Sequence, residues 1–284
     1  MKKVLQYIKL IRAKHWIKNG IVFIPVVFNR NFTASIITQS VLAFCSFCLL
    51  TSFIYVINDL FDIESDRKHP VKKERPLASG RIKTWQALTA ACVCLTGSAC
   101  MFIGITNTYA LSIWIAYLAL NVLYSRILKK IAIVDIVLIA VFYVLRVYYG
   151  AIAAGITISS WLFLTLITMS FYLGCGKRRG EIDAGDSSSR EVLRFYNYQF
   201  LDRFMYVCLA CAITFYSLWC KEMNSALLMA SVPCLIVLVM RYSQLIENGS
   251  DGDPVEVVYG DKPLMSLGLL YVAIVAGALF WKSV

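Results

Sequence analysis

The chain carries SIITQSVLAFCSFCLLTSFIYVI at residues 35–57 and, directly after it, NDLFDIESD at residues 58–66. The first stretch contains no charged residue and is longer than the roughly 20 residues that an α-helix needs to cross a bilayer. The second stretch contains Asp59, Asp62 and Asp66. The boundary between the two stretches therefore predicts a membrane span that ends in an acidic cluster.

The composition of the whole chain is that of a membrane protein. Of its 284 residues 59% are hydrophobic and 16% are charged, and the mean hydropathy is +0.68, whereas about a quarter of a soluble domain is charged. We predict an all-α integral membrane protein with nine helices. The apolar runs are a short one that contains Pro25, Ile17–Phe28, and then Ser35–Ile57, Trp85–Ile105, Tyr109–Tyr124, Ile133–Ala154, Ser160–Cys175, Phe204–Cys220, Ala226–Met240 and Leu264–Phe280.

The net charge of +11 follows the predicted membrane topology. With an internal N-terminus, 24 of the 28 Lys and Arg residues lie before or at the start of the first helix or in inner loops, as the positive-inside rule requires. This distribution argues against nucleic acid as a partner. It predicts a multi-pass protein of the cell membrane with its active site on the cytoplasmic side, where nearly all the acidic residues also lie.

The aspartates share one face if the helix continues past Ile57. At 100° per residue, Asn58, Asp59, Asp62 and Asp66 face one way and Glu64 faces the other. Carboxylates this close repel one another unless a cation neutralises them, and oxygen ligands suit Mg²⁺ bridged to phosphates. We therefore predict that these four residues bind Mg²⁺ and a diphosphate. The alternative is a solvated helix end with incidental charge, which is costly directly after an apolar span.

The acidic cluster is followed by RPLASG at residues 75–80, and together the two motifs resemble the UbiA superfamily of membrane prenyltransferases. The resemblance implies a nine-helix bundle around a lipid-accessible cavity that faces the cytoplasm. We expect a single transmembrane domain over residues 1–284. Its amphipathic start, about residues 1–14, is expected to lie on the membrane surface.

The chain departs from the family at the segment GCGKRRGEID, residues 174–183. The family has a second aspartate-rich motif there, which binds a second Mg²⁺. Here Lys177, Arg178 and Glu181 fall within one helical arc of about 100°. Cations in place of aspartates predict a direct phosphate clamp instead of a metal site.

With this altered second motif, the chain resembles the polyprenyl-phosphate phosphoribosyltransferase branch of the superfamily. The branch implies transfer of 5-phosphoribosyl from phosphoribosyl diphosphate to a polyprenyl phosphate of the decaprenyl-phosphate type, with Mg²⁺ as cofactor, for cell-envelope glycan precursors. In that reaction Asp59, Asp62 and Asp66 would be catalytic. The further matching positions are Arg12, Trp16, Lys18, Asn19, Tyr124, Ser125, Leu128, Lys129, Asp135, Arg146, Glu256 and residues 261–264.

The substrate contacts are assigned by charge. Lys177 and Arg178 are expected to bind phosphate, and Glu181 a metal or the ribose hydroxyls. Lys18, Arg75 and Lys129 would add phosphate contacts. Arg146 lies within a span, where a charged residue usually faces a cavity or a partner. A pair with Asp135 is its structural alternative, but eleven residues, about three turns, separate the two along one helix.

Two other functions fit parts of the sequence. A UbiA-type prenyltransferase would move a prenyl group from prenyl diphosphate to an aromatic acceptor, but the altered second motif argues against it. A lipid or ion transporter would need charges near the midplane, and this sequence shows no inverted repeat. The sequence leaves the lipid length open, and it is compatible with a homo-oligomer.

Overall fold

The computed structural model describes residues 2–29, 32–69, 71–183, 191–250 and 252–280. Within these ranges the chain forms helices and their connections and no β-strand. The α-helices are α1 Lys2–Leu10, α2 Ile24–Asn29, α3 Ala34–Phe61, α4 Ile63–Lys68, α5 Thr84–Ile103, α6 Ala110–Arg126, α7 Val134–Ala154, α8 Ser160–Asp183, α9 Tyr198–Glu222, α10 Ala226–Glu247, α11 Pro254–Gly260 and α12 Lys262–Phe280. The 3-10 helices are Ala13–Phe23, Lys72–Glu74, Leu128–Lys130 and Glu191–Phe195.

Six of the described helices, α3, α5, α7, α9, α10 and α12, are long and apolar enough to cross a bilayer. Helix α6 is apolar but has only 17 residues. Helix α8 has 24 residues and carries charged side chains in its last two turns. All eight longer predicted helices are thus present, and the protein is an all-helical, multi-pass membrane protein.

The prediction of one α-helix over Ile17–Phe28 is wrong. A 3-10 helix occupies Ala13–Phe23, and the short helix α2 follows it. Pro25 is the second residue of α2, where its missing N–H costs no hydrogen bond because the first turn of a helix has no internal acceptors for its donors. The structure therefore does not confirm a count of nine spans.

The chain falls into two compact units. Unit 1 comprises Met1–Val26, Asn31–Arg126 and Arg146–Ile156, and unit 2 comprises Val27–Arg30, Ile127–Leu145 and Thr157–Val284. Helix α7 therefore contributes its first half to unit 2 and its second half to unit 1.

Polar side chains join the helices of unit 1. Ser46 on α3 donates to the carbonyl oxygen of Ser98 on α5 at 3.0 Å, and Ser98 donates to that of Ser46 at 2.8 Å. The Tyr149 hydroxyl on α7 donates to Ser46 Oγ at 3.1 Å, and Trp114 on α6 donates to Ser98 Oγ at 2.9 Å. Small residues with such bonds suit a bilayer, where apolar surface alone gives helices little reason to associate.

In unit 2 a pair of glycines allows two backbone segments to touch. A Cβ atom on Gly180 in α8 would lie 2.4 Å from the backbone nitrogen of Gly252, which precedes α11. Gly252 has a φ of +74°, and a Cβ there would lie 2.8 Å from the carbonyl oxygen of Lys177. The close approach fixes the loop after α10 against the cation-rich end of α8.

We expect the substitution Gly150→Ala to destabilise unit 1. A Cβ on Gly150 in α7 would lie 2.0 Å from the backbone oxygen of Val22, and overpacking of this kind costs about 1–3 kcal/mol. The control is Gly268→Ala in α12, where the nearest atom is a leucine methyl at 3.9 Å. Thermal unfolding in detergent should show a lower midpoint for the first variant only; equal midpoints would contradict the packing described here.

Candidate active site

The acidic motif lies where α3 ends. Helix α3 stops at Phe61, and Asp62 is both its last cap and the residue before α4. The helix thus continues past Ile57 and carries Asn58 and Asp59, whereas Asp66 lies on α4. The helical path still continues, because the Asp62 amide donates to the Asn58 carbonyl at 3.0 Å and the Asp66 amide to the Asp62 carbonyl at 2.8 Å.

Asp59 and Asp66 are brought together by one guanidinium group. Arg75 Nη1 lies 3.2 Å from Asp59 Oδ1 and 2.7 Å from Asp66 Oδ2. The two carboxylate oxygens are therefore at most about 6 Å apart, the sum of the two distances. Arg12 Nη2 adds a bond of 2.5 Å to the same Asp59 oxygen. We call these four residues the Asp59 cluster.

Both aspartates are buried, whereas Asp62 and Asn58 are half-buried and Glu64 is exposed. This agrees with the prediction that Glu64 points away from the motif. A carboxylate loses much of its hydration when it is buried and needs a cation beside it. The arginines supply the cations in this structure.

Local backbone features position the two arginines. Arg12 has a φ of 51° and a ψ of 46°, and this left-handed conformation costs a residue other than glycine about 1–2 kcal/mol. Its guanidinium also lies 4.7 Å from the centre of the Tyr55 ring. Arg75 precedes the turn that ends at Gly80. Gly80 has a φ of 74°, a conformation that glycine adopts more readily than other residues.

The Asp59 cluster fits a divalent cation in its chemistry, although a complete ligand set is not assembled. Among the described residues, no three His, Cys, Asp or Glu side chains lie close enough together to hold a metal ion. Asp59 and Asp66 nevertheless already share one positive group, and carboxylate oxygens are ligands that Mg²⁺ prefers. These two residues are the pair that could hold the metal; Asn58 directly precedes Asp59, and Asp62 lies between the two aspartates in the sequence.

Arg146 also lies in unit 1 and is buried. Its Nε donates to the Asn19 side-chain oxygen at 2.9 Å, and its Nη2 donates to the Tyr117 hydroxyl at 2.6 Å. Lys18, half-buried, precedes Asn19 in the 3-10 helix. Asp135, the structural alternative as a partner for Arg146, bonds to Arg178 and Tyr196 in unit 2.

The second predicted motif forms a buried network in unit 2. Arg178 is fully buried; its Nε lies 2.5 Å from Asp135 Oδ2, and its Nη1 donates to Glu181 in a short bond. Helix α8 extends beyond the end of the predicted apolar run at Cys175 to Asp183, so the motif lies on a helix, as its predicted helical arc requires. One helical turn therefore separates Arg178 from Glu181, which is the spacing of an ion pair along a helix.

Tyr196 completes this network, and no sequence motif pointed to it. Its hydroxyl donates to Asp135 in a short bond and accepts from the Ile133 amide at 2.6 Å. Burial and the bond to the carboxylate raise the pKa of Tyr196, so the hydroxyl keeps its proton. Ile133 has a φ of 70°, a strained conformation for a β-branched residue. We call Asp135, Arg178, Glu181 and Tyr196 the Arg178 cluster.

The remaining predicted cations of unit 2 are more accessible. Lys177 and Lys129 are both half-buried, and Lys129 lies in the 3-10 helix before α7.

Near α12, Arg241 donates to Asp261 at 2.7 Å. That bond, with a second one from the Leu264 amide, lowers the pKa of Asp261.

Most of the chain matches a known protein family. Residues 22–269 match the family described as the UbiA prenyltransferase family. The chain belongs to this family. The resemblance seen in the sequence is thereby confirmed, and the UbiA family is one of membrane enzymes that transfer groups.

Among its relatives, the decaprenyl-phosphate phosphoribosyltransferase of Mycobacterium tuberculosis (strain H37Rv) is 30% identical, over 95% of this chain and 93% of the relative. The enzyme of the same name from Corynebacterium glutamicum is 31% identical, over 96% and 86%. A UbiA homolog from Archaeoglobus fulgidus, solved with GPP and Mg²⁺, has a TM-score of 0.73 at 18% identity and covers 96% of this chain and 99% of its own. This last likeness concerns the fold alone.

We expect Asp135→Asn to destabilise this UbiA protein strongly. The ion pair of Asp135 with Arg178 has no exposed side-chain surface, and removing one partner of a buried pair costs about 3–5 kcal/mol. The control is Glu74→Gln, since Glu74 lies 2.7 Å from Arg81 and both side chains are exposed, and such pairs contribute about 1 kcal/mol or less. Similar unfolding midpoints in detergent for the two variants would contradict this assignment.

Proposed function

We propose that this protein transfers a 5-phosphoribosyl group from phosphoribosyl diphosphate to a membrane polyprenyl phosphate and releases diphosphate. The observation that carries the proposal is the near full-length similarity to two enzymes named decaprenyl-phosphate phosphoribosyltransferase. The buried carboxylate pair of unit 1 and the cation-rich end of α8 support it.

In the proposed reaction the Asp59 cluster binds the diphosphate of the donor. Asp59 and Asp66, with Asp62 and Asn58, would hold Mg²⁺, and a bound Mg²⁺ stabilises the negative charge that develops on a departing diphosphate. The Mg²⁺ in the homolog from Archaeoglobus fulgidus supports a divalent metal here. Arg75 would place a second positive charge beside the same leaving group.

The lipid is the nucleophile in this scheme. An oxygen of the polyprenyl phosphate forms a bond to the anomeric carbon of ribose, and the bond from that carbon to diphosphate breaks with its electron pair. A phosphate monoester is largely ionised near neutral pH, with a second pKa of about 6, so no general base is required. Positioning and charge neutralisation by the protein are then the main sources of catalysis.

In unit 2, Lys177 and Arg178 are assigned phosphate contacts, and Arg178 also neutralises Asp135 and Glu181. Arg178 would orient Glu181 toward a metal or the ribose hydroxyls. Lys129 is assigned a phosphate contact, as are Lys18 and Arg146 in unit 1. The assignment of cations to lipid phosphate or ribose phosphate is left to the kinetics of single variants.

The proposal includes the membrane arrangement. The charge distribution supports a site on the cytoplasmic side of the plasma membrane, and the family resemblance supports a nine-helix bundle. The segment of residues 13–29 and helix α8 with its charged end would then be among the spans, although length and hydropathy alone do not identify them.

The proposal is tested with purified protein, Mg²⁺, phosphoribosyl diphosphate and a radiolabelled polyprenyl phosphate. We expect a phosphoribosylated lipid, identified by mass spectrometry, and no product after removal of divalent metal with a chelator. Turnover only with a prenyl diphosphate and an aromatic acid would reject the proposal in favour of ordinary prenyl transfer.

Single variants test the assignment of the carboxylates. Asp59→Asn and Asp66→Asn should lower kcat/KM by roughly 10²–10³-fold, the usual effect of losing one transition-state contact. Glu64→Gln is the matched control, because Glu64 lies on the same short helix as Asp66 but is exposed; its kcat/KM should stay within about twofold of wild type. Undiminished activity of both aspartate variants would remove the acidic motif from the mechanism.

A further inference from the structure

We propose that Arg12 and Arg75 occupy the cation position of Asp59 and Asp66 until a metal–diphosphate binds, and then exchange the carboxylates for phosphate oxygens. The inference rests on the proposed function for the nature of the ligand. It assigns a role to Arg12, which was singled out in the sequence only as a point of resemblance. The distances within the Asp59 cluster carry the argument.

The first step concerns occupancy. Arg75 Nη1 lies within bonding distance of both carboxylates, and Arg12 Nη2 contacts the Asp59 oxygen that Arg75 also contacts. A metal ion bound by Asp59 and Asp66 needs these same oxygens. The guanidinium groups and the metal therefore compete for one position, and binding of the metal requires the arginines to withdraw.

The second step concerns charge. Two carboxylates and two guanidinium groups leave the Asp59 cluster neutral. A divalent cation that binds alone adds two positive charges beside two arginines, which repel it. A divalent cation that arrives with a diphosphate brings several negative charges, to which the displaced arginines can bind. The cluster thus favours the metal–diphosphate complex over the free metal.

The third step concerns access. The side chains of Arg12 and Arg75 are 23% and 29% exposed, whereas those of Asp59 and Asp66 are 4% and 5% exposed. A ligand that approaches from solvent therefore meets the guanidinium groups before it meets the carboxylates. Because an arginine donates through a planar fork, it can bind a phosphate in the same two-point manner in which it binds a carboxylate.

Binding of Mn²⁺ to the detergent-purified protein, measured by electron paramagnetic resonance, tests the exchange without any turnover. For Arg75→Gln and Arg12→Gln we expect Mn²⁺ alone to bind about tenfold more tightly than to wild type, as it would if arginine fills the position about 90% of the time. With inorganic pyrophosphate present, the same variants should bind Mn²⁺–pyrophosphate more weakly than wild type. The two effects have opposite signs.

The matched control is Arg81→Gln. Arg81 lies in the same loop region and pairs with Glu74 at 2.7 Å, both side chains being exposed; its Mn²⁺ binding should equal that of wild type with and without pyrophosphate. If a glutamine variant does not fold, Arg75→Lys and Arg12→Lys replace it, and changes in the same directions but smaller are expected.

Unchanged or weaker binding of Mn²⁺ alone in the Arg12 and Arg75 variants would overturn the exchange. An arginine that does not occupy the cation position between the carboxylates cannot compete with the metal for it. Tighter Mn²⁺ binding with unchanged pyrophosphate binding would overturn it too, because the arginines would then not move to phosphate. Neither readout uses phosphoribosyl diphosphate or lipid. A failed transfer assay beside the expected Mn²⁺ results would therefore count against the proposed function alone.

Discussion

A carboxylate buried where a membrane helix ends must have a cation beside it, because little water is present to hydrate its charge. The apolar run of α3 carries Asp59 into this situation, and α7 carries Asp135 into it. Both residues are neutralised by arginine. The turn at Gly80, the left-handed Arg12 and the extension of α8 to Asp183 can all be understood as the means that bring a guanidinium to a carboxylate.

The two units meet this requirement in different ways. In the Asp59 cluster the arginines are partly exposed and come from a turn and from the segment that precedes the first 3-10 helix, so their bonds can be exchanged. In the Arg178 cluster the arginine is wholly buried within a long helix, and its bonds to Asp135 and Glu181 are part of the packing. The first arrangement suits exchange with a ligand, and the second suits a fixed support that positions Glu181.

Much of this could be predicted from the sequence, since long apolar runs leave few choices in a bilayer. Apolar runs show where helices lie but not where the helices begin and end. Helix α8 continues through Lys177 and Arg178, and α9 begins six residues before its predicted start at Phe204. Hydropathy falls at these ends although the backbone stays helical, because charged side chains can be satisfied within the protein. The 3-10 conformation of residues 13–23 was not predicted, because hydrophobic patterns are interpreted by the 3.6-residue period of an α-helix and not by the three-residue period of a 3-10 helix.

The site was predictable where contacts are local. The periodicity that separates Asp59 and Asp66 from Glu64 follows from one helical path, and Arg75 lies close to them in sequence. Arg12 and Tyr196 could not be assigned in this way, because 47 and 61 residues separate them from Asp59 and Asp135. Arg178 is predicted to contact a phosphate; charge alone could not reveal that Asp135 and Glu181 also lie beside it.

The contact between Gly180 and Gly252 limits how the protein can change during evolution. Most packed pairs can drift, because a larger residue on one side is compensated by a smaller one on the other. Here both residues already lack a Cβ atom, so no smaller amino acid exists for either position. The end of α8 and the loop before α11 can diverge only together, through an insertion or deletion that separates the two backbones.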